Sequence, residues 1–236
     1  MNRMFYYKQY ENHPSYMVED AAEDFVTYKW GGQIVMGVED EGGDDDIPEI
    51  GEEPKENSWI IACEDLGDTD DYDFNDVVFK VSHVSGQKTA TVTPLAAGGT
   101  LATWIVYNNQ YLGETHQLLG AKENTSGSYP MINTTKITAT ATPLEVNVPE
   151  NFTITNNMGG FSIIVNSKDN SAVLIKAPSA GAAPQMFCVP STWAWPTERT
   201  KIQDAYPDFA HWSADSNNIE WYNNATAGKV IGGQAQ

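Results

Sequence analysis

Basic side chains are scarce in this sequence, with 13 Lys and Arg against 32 Asp and Glu in 236 residues. No basic patch is available to neutralise phosphates, so nucleic acid is excluded as a partner. Long apolar runs are missing as well. No stretch approaches the roughly 18 consecutive apolar residues of a membrane-spanning helix, and the polar, aromatic start lacks the apolar centre of a signal peptide. The chain as it stands is therefore expected to be soluble. Its two cysteines, Cys63 and Cys188, are too few for a disulfide framework. An even count allows a bridge between them in an oxidising compartment, but both sit in apolar runs where unpaired thiols are commonly buried, so two buried free thiols are the favoured expectation. The four histidines, at positions 13, 83, 116 and 211, show no i,i+4 spacing and have no nucleophile motif beside them. No serine stands in a G-x-S-x-G setting, and neither zinc nor triad chemistry finds its residues. No catalysis is expected.

The acids that are present are unevenly placed. Residues 39–76 hold 1 basic and 17 acidic side chains, a net charge of -16 out of -19 for the whole chain. Residues 77–236 are nearly neutral, with 9 basic and 10 acidic side chains. Charge packed this way points to cation binding, a solvated acidic tract, or both. Residues 39–57, with ten acids, two prolines and three glycines, read as a linker.

Beyond residue 57, short β-branched and aromatic runs broken by Gly, Pro and Asn predict strands. They fall near 58–63, 76–84, 88–93, 101–107, 136–142, 144–148, 161–166, 172–176 and 185–189, with turns at Gly98-Gly99, Asn108-Asn109 and Met158-Gly159-Gly160. The expected fold is all-β, a jelly-roll-like β-sandwich of about nine or more short strands. One or two short peripheral helices accompany it: 197–205 after Pro196, and 114–119 closed by Gly120. In the second, His116 reads as a polar anchor for a loop carbonyl. Residues 26–30 and 33–38 around Gly31-Gly32 read as a hairpin. The domain reading is thus 1–57 for hairpin and acidic linker, 58–222 for the sandwich, and 223–236 for a flexible tail.

The chemistry concentrates between two apolar strands, where residues 64–76 carry seven carboxylates and one Asn. Such packing is repulsive unless a positive charge sits among the acids, and only Lys80 is near in sequence. A hard cation is the natural remedy. Ca²⁺ takes roughly six to eight oxygen ligands from flexible loops, which suits Asp, Glu and Asn. In an extended segment Asp71, Asp73 and Asn75 point to one side, and the incoming Glu64 or Asp65 completes the shell. The candidate metal ligands are Glu64, Asp65, Asp71, Asp73, Asn75 and Asp76. The alternative for the same residues is an acidic, solvated turn. The EF-hand pattern is absent.

Glu64-Asp65-Leu66 and the run from Asp71 to Phe79 resemble the LruC-domain family of bacterial surface and lipoprotein-like proteins, whose signature is E-D-L followed by D-x-D-F-N-D-V-V-F. The resemblance continues through residues 113–120, 129–134, 184–190, 193–198 and 205–212. It implies export to the cell surface, association with the outer membrane or release outside the cell; the role expected of such a module, without catalysis, is structural or adhesive. Partners would then be calcium and other envelope proteins or surface glycans. A glycan-binding module using exposed aromatics is the alternative: Trp193 and Trp195, two apart, could stack on sugar rings, although core packing is the favoured reading. Residues 34–46 echo residues 60–71, as a second cation site, a decayed repeat or chance similarity.

Overall fold

A computed structural model describes residues 56–65, 71–154, 157–166, 171–177, 184–214 and 220–233, and the backbone of 27–30 and 33–36. The expected N-terminal hairpin forms: β1 (Thr27–Trp30) pairs antiparallel with β2 (Gln33–Met36), Trp30 opposite Gln33. The echo of the acidic motif at residues 34–46 lies largely outside the described residues, as do Asp68 and Asp70.

Two antiparallel sheets make the body. One has the order β11 (Met186–Pro190), β3 (Glu56–Cys63), β4 (Val77–Val84), β5 (Thr89–Ala96), β8 (Leu144–Asn147). The other runs β10 (Ala172–Lys176), β9 (Phe161–Asn166), β6 (Thr103–Tyr107), β7 (Gln110–Glu114). Side chains alternate across a strand, so odd and even positions separate into two cores. Trp59, Ile61, Cys63, Val77, Phe79 and Val81 face the second sheet and pack with Ile105, Phe161, Ile163, Val165 and Ile175. This is the sandwich interior. Ile60, Ala62, Val78, Phe187 and Val189 face the other way and are covered by C-terminal aromatics, Trp193, Trp195, Tyr206, Trp212 and Trp221. With both faces covered, β11 and the second half of β3 read in sequence as unbroken apolar runs, whereas β4 alternates beyond Phe79.

Turn chemistry follows the sequence closely. Asn108 and Asn109, both left-handed at φ 44° and 67°, close the β6–β7 hairpin, where a two-residue turn matches strand twist only with positive φ. Pro94 lies beyond the end of β8 and beside the bulge where Val78 pairs with Ala96 and Phe79 with Pro94, so its missing N–H costs no ladder bond to β8.

Several expectations are corrected. No strand forms at 136–142: Asn133 Oδ1 accepts from the N–H groups of Thr138 (2.7 Å) and Ala139 (3.0 Å), and its Nδ2 donates to Leu95 O and Ala139 O. One side chain there does what a ladder would have done. The helix expected over 197–205 shrinks to α2 (Ile202–Ala205), because Arg199 is left-handed at φ 61°, and Pro196 does not start it. Instead Trp195–Pro196 forms β12, paired with β13 (Val230–Ile231), a short strand within the segment read as a tail. A third helix, α3 (Asp208–Ala214), follows Pro207, while α1 (Thr115–Leu118) appears where a helix was expected, with Glu114 as its N-cap and Gly120 at φ 88° beyond its end. β7 was unanticipated. Both cysteines are buried and unbridged, and burial pushes each thiol upward in pKa.

Candidate metal centre

The acidic loop joins the ends of β3 and β4, two interior strands of the first sheet. It is not extended: Tyr72 and Phe74 are left-handed, at φ 49° and 55°. The expectation that Asp71, Asp73 and Asn75 share one side of a strand is therefore wrong in its geometry. Left-handed backbone at two non-glycine residues is unfavourable by roughly 1–2 kcal/mol each, so surrounding contacts must hold it. They are visible. Phe74 N–H donates to Glu64 Oε1, Ile202 N–H donates to Tyr72 O at 2.7 Å, and Phe74 is buried against Phe187 at 4.6 Å between ring centroids.

Folded in this way, the loop sorts the six candidate ligands into neighbouring groups. Glu64, Asp71 and Asp73 each offer an oxygen within 4.8 Å of the others. Two oxygens bound to one Ca²⁺ at roughly 2.3–2.6 Å can be at most about 5 Å apart, so the spacing is compatible with a shared ion. Asp65 and Asp76 form a second pair: Asp65 N–H donates to Asp76 Oδ2 at 2.8 Å, and both carboxylates lie against Gly99. Asn75 is fully buried. Its Nδ2 donates to Pro196 O at 3.2 Å, while its Oδ1 has no protein hydrogen-bond partner and lies against the backbone of Gly98.

The electrostatics are those of a crowded acid cluster. Burial, then the negative charges of Asp73, Asp71 and Asp65, push Glu64 up to about 8 against the opposing hydrogen bond from Phe74 N–H. Asp73 is pushed up to about 7, by burial first and then by Asp71, despite accepting from Asn75 N–H and Arg199 N–H. Asp76 is also raised, by burial and then by Asp65 and Glu64. Arg199 does not relieve this, because its guanidinium side chain is 80% exposed and reaches only Glu198, at 3.8 Å. The donors are all hard oxygens, the set that Ca²⁺ prefers and Zn²⁺ does not.

Five residues that shape the site escaped the sequence reading. Glu198 has its pKa raised by burial and then by Asp71, which places a further carboxylate beside the loop. Arg199 and Pro196 supply the backbone bonds to Asp73 and Asn75. Gly98 and Gly99, read as a turn, form a wall: a Cβ on Gly98 would lie 1.9 Å from Asn75 Oδ1, and one on Gly99 would lie 2.6 Å from Asp65 Oδ2. Only the glycine pair carried a signal in sequence, and it was the wrong one. Trp193 and Trp195 are 2% and 3% exposed, so the favoured core reading holds and no sugar platform exists at that pair.

Comparison with known proteins gives two partial likenesses. Residues 179–222 match a family described as a domain of unknown function, DUF4842. That segment includes β11, the aromatic cover and the residues that donate to Asp73 and accept from Asn75. The chain is also similar to the crystal structure of a "Putative lipoprotein" from Bacteroides ovatus, at 14% identity and a TM-score of 0.47, over 75% of each chain. No curated protein matches it. Among the described residues, no helix is long and apolar enough to cross a membrane.

Proposed function

We propose that this chain is a calcium-binding structural or adhesive module of a bacterial cell-surface protein, with no catalysis. The observation that carries the calcium reading is the convergence of Glu64, Asp71 and Asp73 where β3 and β4 are joined, together with a buried Asn75 oxygen in the same loop that has no protein partner. A bound Ca²⁺ would supply the positive charge that no described side chain brings into the cluster. It would be held by Glu64, Asp71 and Asp73, with Asp65, Asn75 and Asp76 as the adjacent oxygens, and it would fix the loop between β3 and β4. Its role would be to cross-link the two strands between which those acids lie. The surface location rests on the resemblance of residues 64–79 to the LruC family, which also favours other envelope proteins or surface glycans as partners.

Metal content measured on protein purified without chelator, followed by calorimetric titration of the stripped protein with CaCl₂, tests the reading. About one Ca²⁺ per chain with a Kd in the range of roughly 10–100 μM is expected, between sensor and extracellular-module affinities. No heat of binding and no bound metal would refute it.

A further inference from the structure

We infer that the buried Glu114–His116 pair is a positioning device for the proposed calcium site, acting through the carbonyl of Gly99; the inference rests on the calcium reading above. His116 is fully buried and stacked on Tyr129, with ring centroids 4.6 Å apart and planes 16° from parallel. Its Nδ1 lies 2.7 Å from Glu114 Oε1 and its Nε2 lies 2.9 Å from Gly99 O. Glu114, itself buried, also accepts from Thr103 N–H at 3.1 Å and Gln117 N–H at 2.8 Å, which is the bonding of a carboxylate. A carbonyl oxygen can only accept. With an ionised Glu114 on one side and the carbonyl on the other, the ring satisfies both contacts when both nitrogens carry hydrogen. A neutral ring would leave one nitrogen facing another lone pair.

Core filling does not require this arrangement, since a phenyl ring would occupy the volume and stack on Tyr129 without desolvating a polar pair. What the imidazole adds is a fixed backbone carbonyl at Gly99. The residue before it, Gly98, donates its N–H to Asn75 O at 3.0 Å and Asp76 O at 3.1 Å, while Gly99 abuts the carboxylates of Asp65 and Asp76. This two-residue wall is thus bonded to the acidic loop on one side and to His116 on the other. His116 sits on α1, which follows β7 of the second sheet, so the tie reaches the cation loop from the opposite layer of the sandwich. His116 touches no cation ligand and acts through the wall alone.

Calorimetric titration with CaCl₂ of the unaltered chain and of H116F, H116Q and E114Q tests this. ¹⁵N spectra of the unaltered protein read the state of the His116 ring. The expected result is a Ca²⁺ affinity at least tenfold weaker in H116F, partly recovered in H116Q because its amide can still donate to Gly99 O, with ring shifts typical of imidazolium. If H116F does not fold, E114Q makes the same comparison with the ring kept and its carboxylate partner neutralised, and at least a tenfold loss is again expected. Full-strength calcium binding in H116F or E114Q, or ring shifts of a neutral imidazole, would overturn the inference alone. Failure of the unaltered chain to bind calcium would overturn the calcium reading and this inference with it.

Discussion

Removing calcium should destabilise this protein more as pH rises, and the structure sets the window. Glu64 and Asp73 are raised to about 8 and about 7 in the folded chain, burial being the first cause in each. Unfolded, they titrate near their ordinary values of about 4. The folded state without metal therefore holds more protons than the unfolded state between about pH 4 and pH 8. The stability these groups allow is fully present below pH 4 and is lost as pH rises through 7 and 8. A few kcal/mol are at stake, spread over that range. Calcium bound as proposed would reverse the penalty by pairing with the ionised carboxylates, with protons competing at low pH. At 1 mM Ca²⁺ and a Kd of roughly 10–100 μM, linkage gives about 1.4–2.7 kcal/mol of added stability, or roughly 3–10 °C in Tm for a chain of this size. Thermal melts at pH 5.5 and 8.5, with CaCl₂ or with chelator, should show the larger shift at pH 8.5. NaCl at matched ionic strength is the control, since screening alone stabilises a chain of net charge -19. Equal stabilisation by NaCl and CaCl₂, or a calcium effect larger at pH 5.5, would refute the reasoning.

Asp73→Ala should abolish the calcium-dependent shift and also lower Tm in chelator, because the N–H groups of Asn75 and Arg199 lose their acceptor; unsatisfied buried groups cost about 1–3 kcal/mol each. Gly98→Ala, whose Cβ would lie 1.9 Å from Asn75 Oδ1, should weaken calcium binding in titration, while Gly86→Ala, left-handed at φ 79° but with open space around it, should leave affinity unchanged. Trp193→Ala should destabilise by ~3–5 kcal/mol in denaturant unfolding, the cost of deleting a buried large aromatic, since its ring packs on Phe187 and Tyr206. Thiol titration should find two reactive cysteines in denaturant without reductant and none in the native protein, where Cys63 and Cys188 are both fully buried.

By itself the sequence determined the strands that carry the core, the hairpin turn at Asn108-Asn109, the short helix after Glu114 and the identity of the acidic loop. Each of these is written in local pattern: β-branched runs, positive-φ residues, a cap followed by glycine, carboxylates crowded within thirteen residues. Tertiary structure decided what those acids do to one another. The left-handed turns at Tyr72 and Phe74 depend on Glu64, on Ile202 and on the aromatic cover, contacts that span up to about 130 residues and leave no periodic trace. For the same reason the strand expected at 136–142 gave way to the side chain of Asn133, and the helix expected from Thr197 gave way to a β-bridge and an N–H donated to Asp73. Which oxygens share an ion-sized space, and which backbone walls them in, depends on distances across the fold. Hydrophobic periodicity and local propensity specify elements and faces, but not those distances.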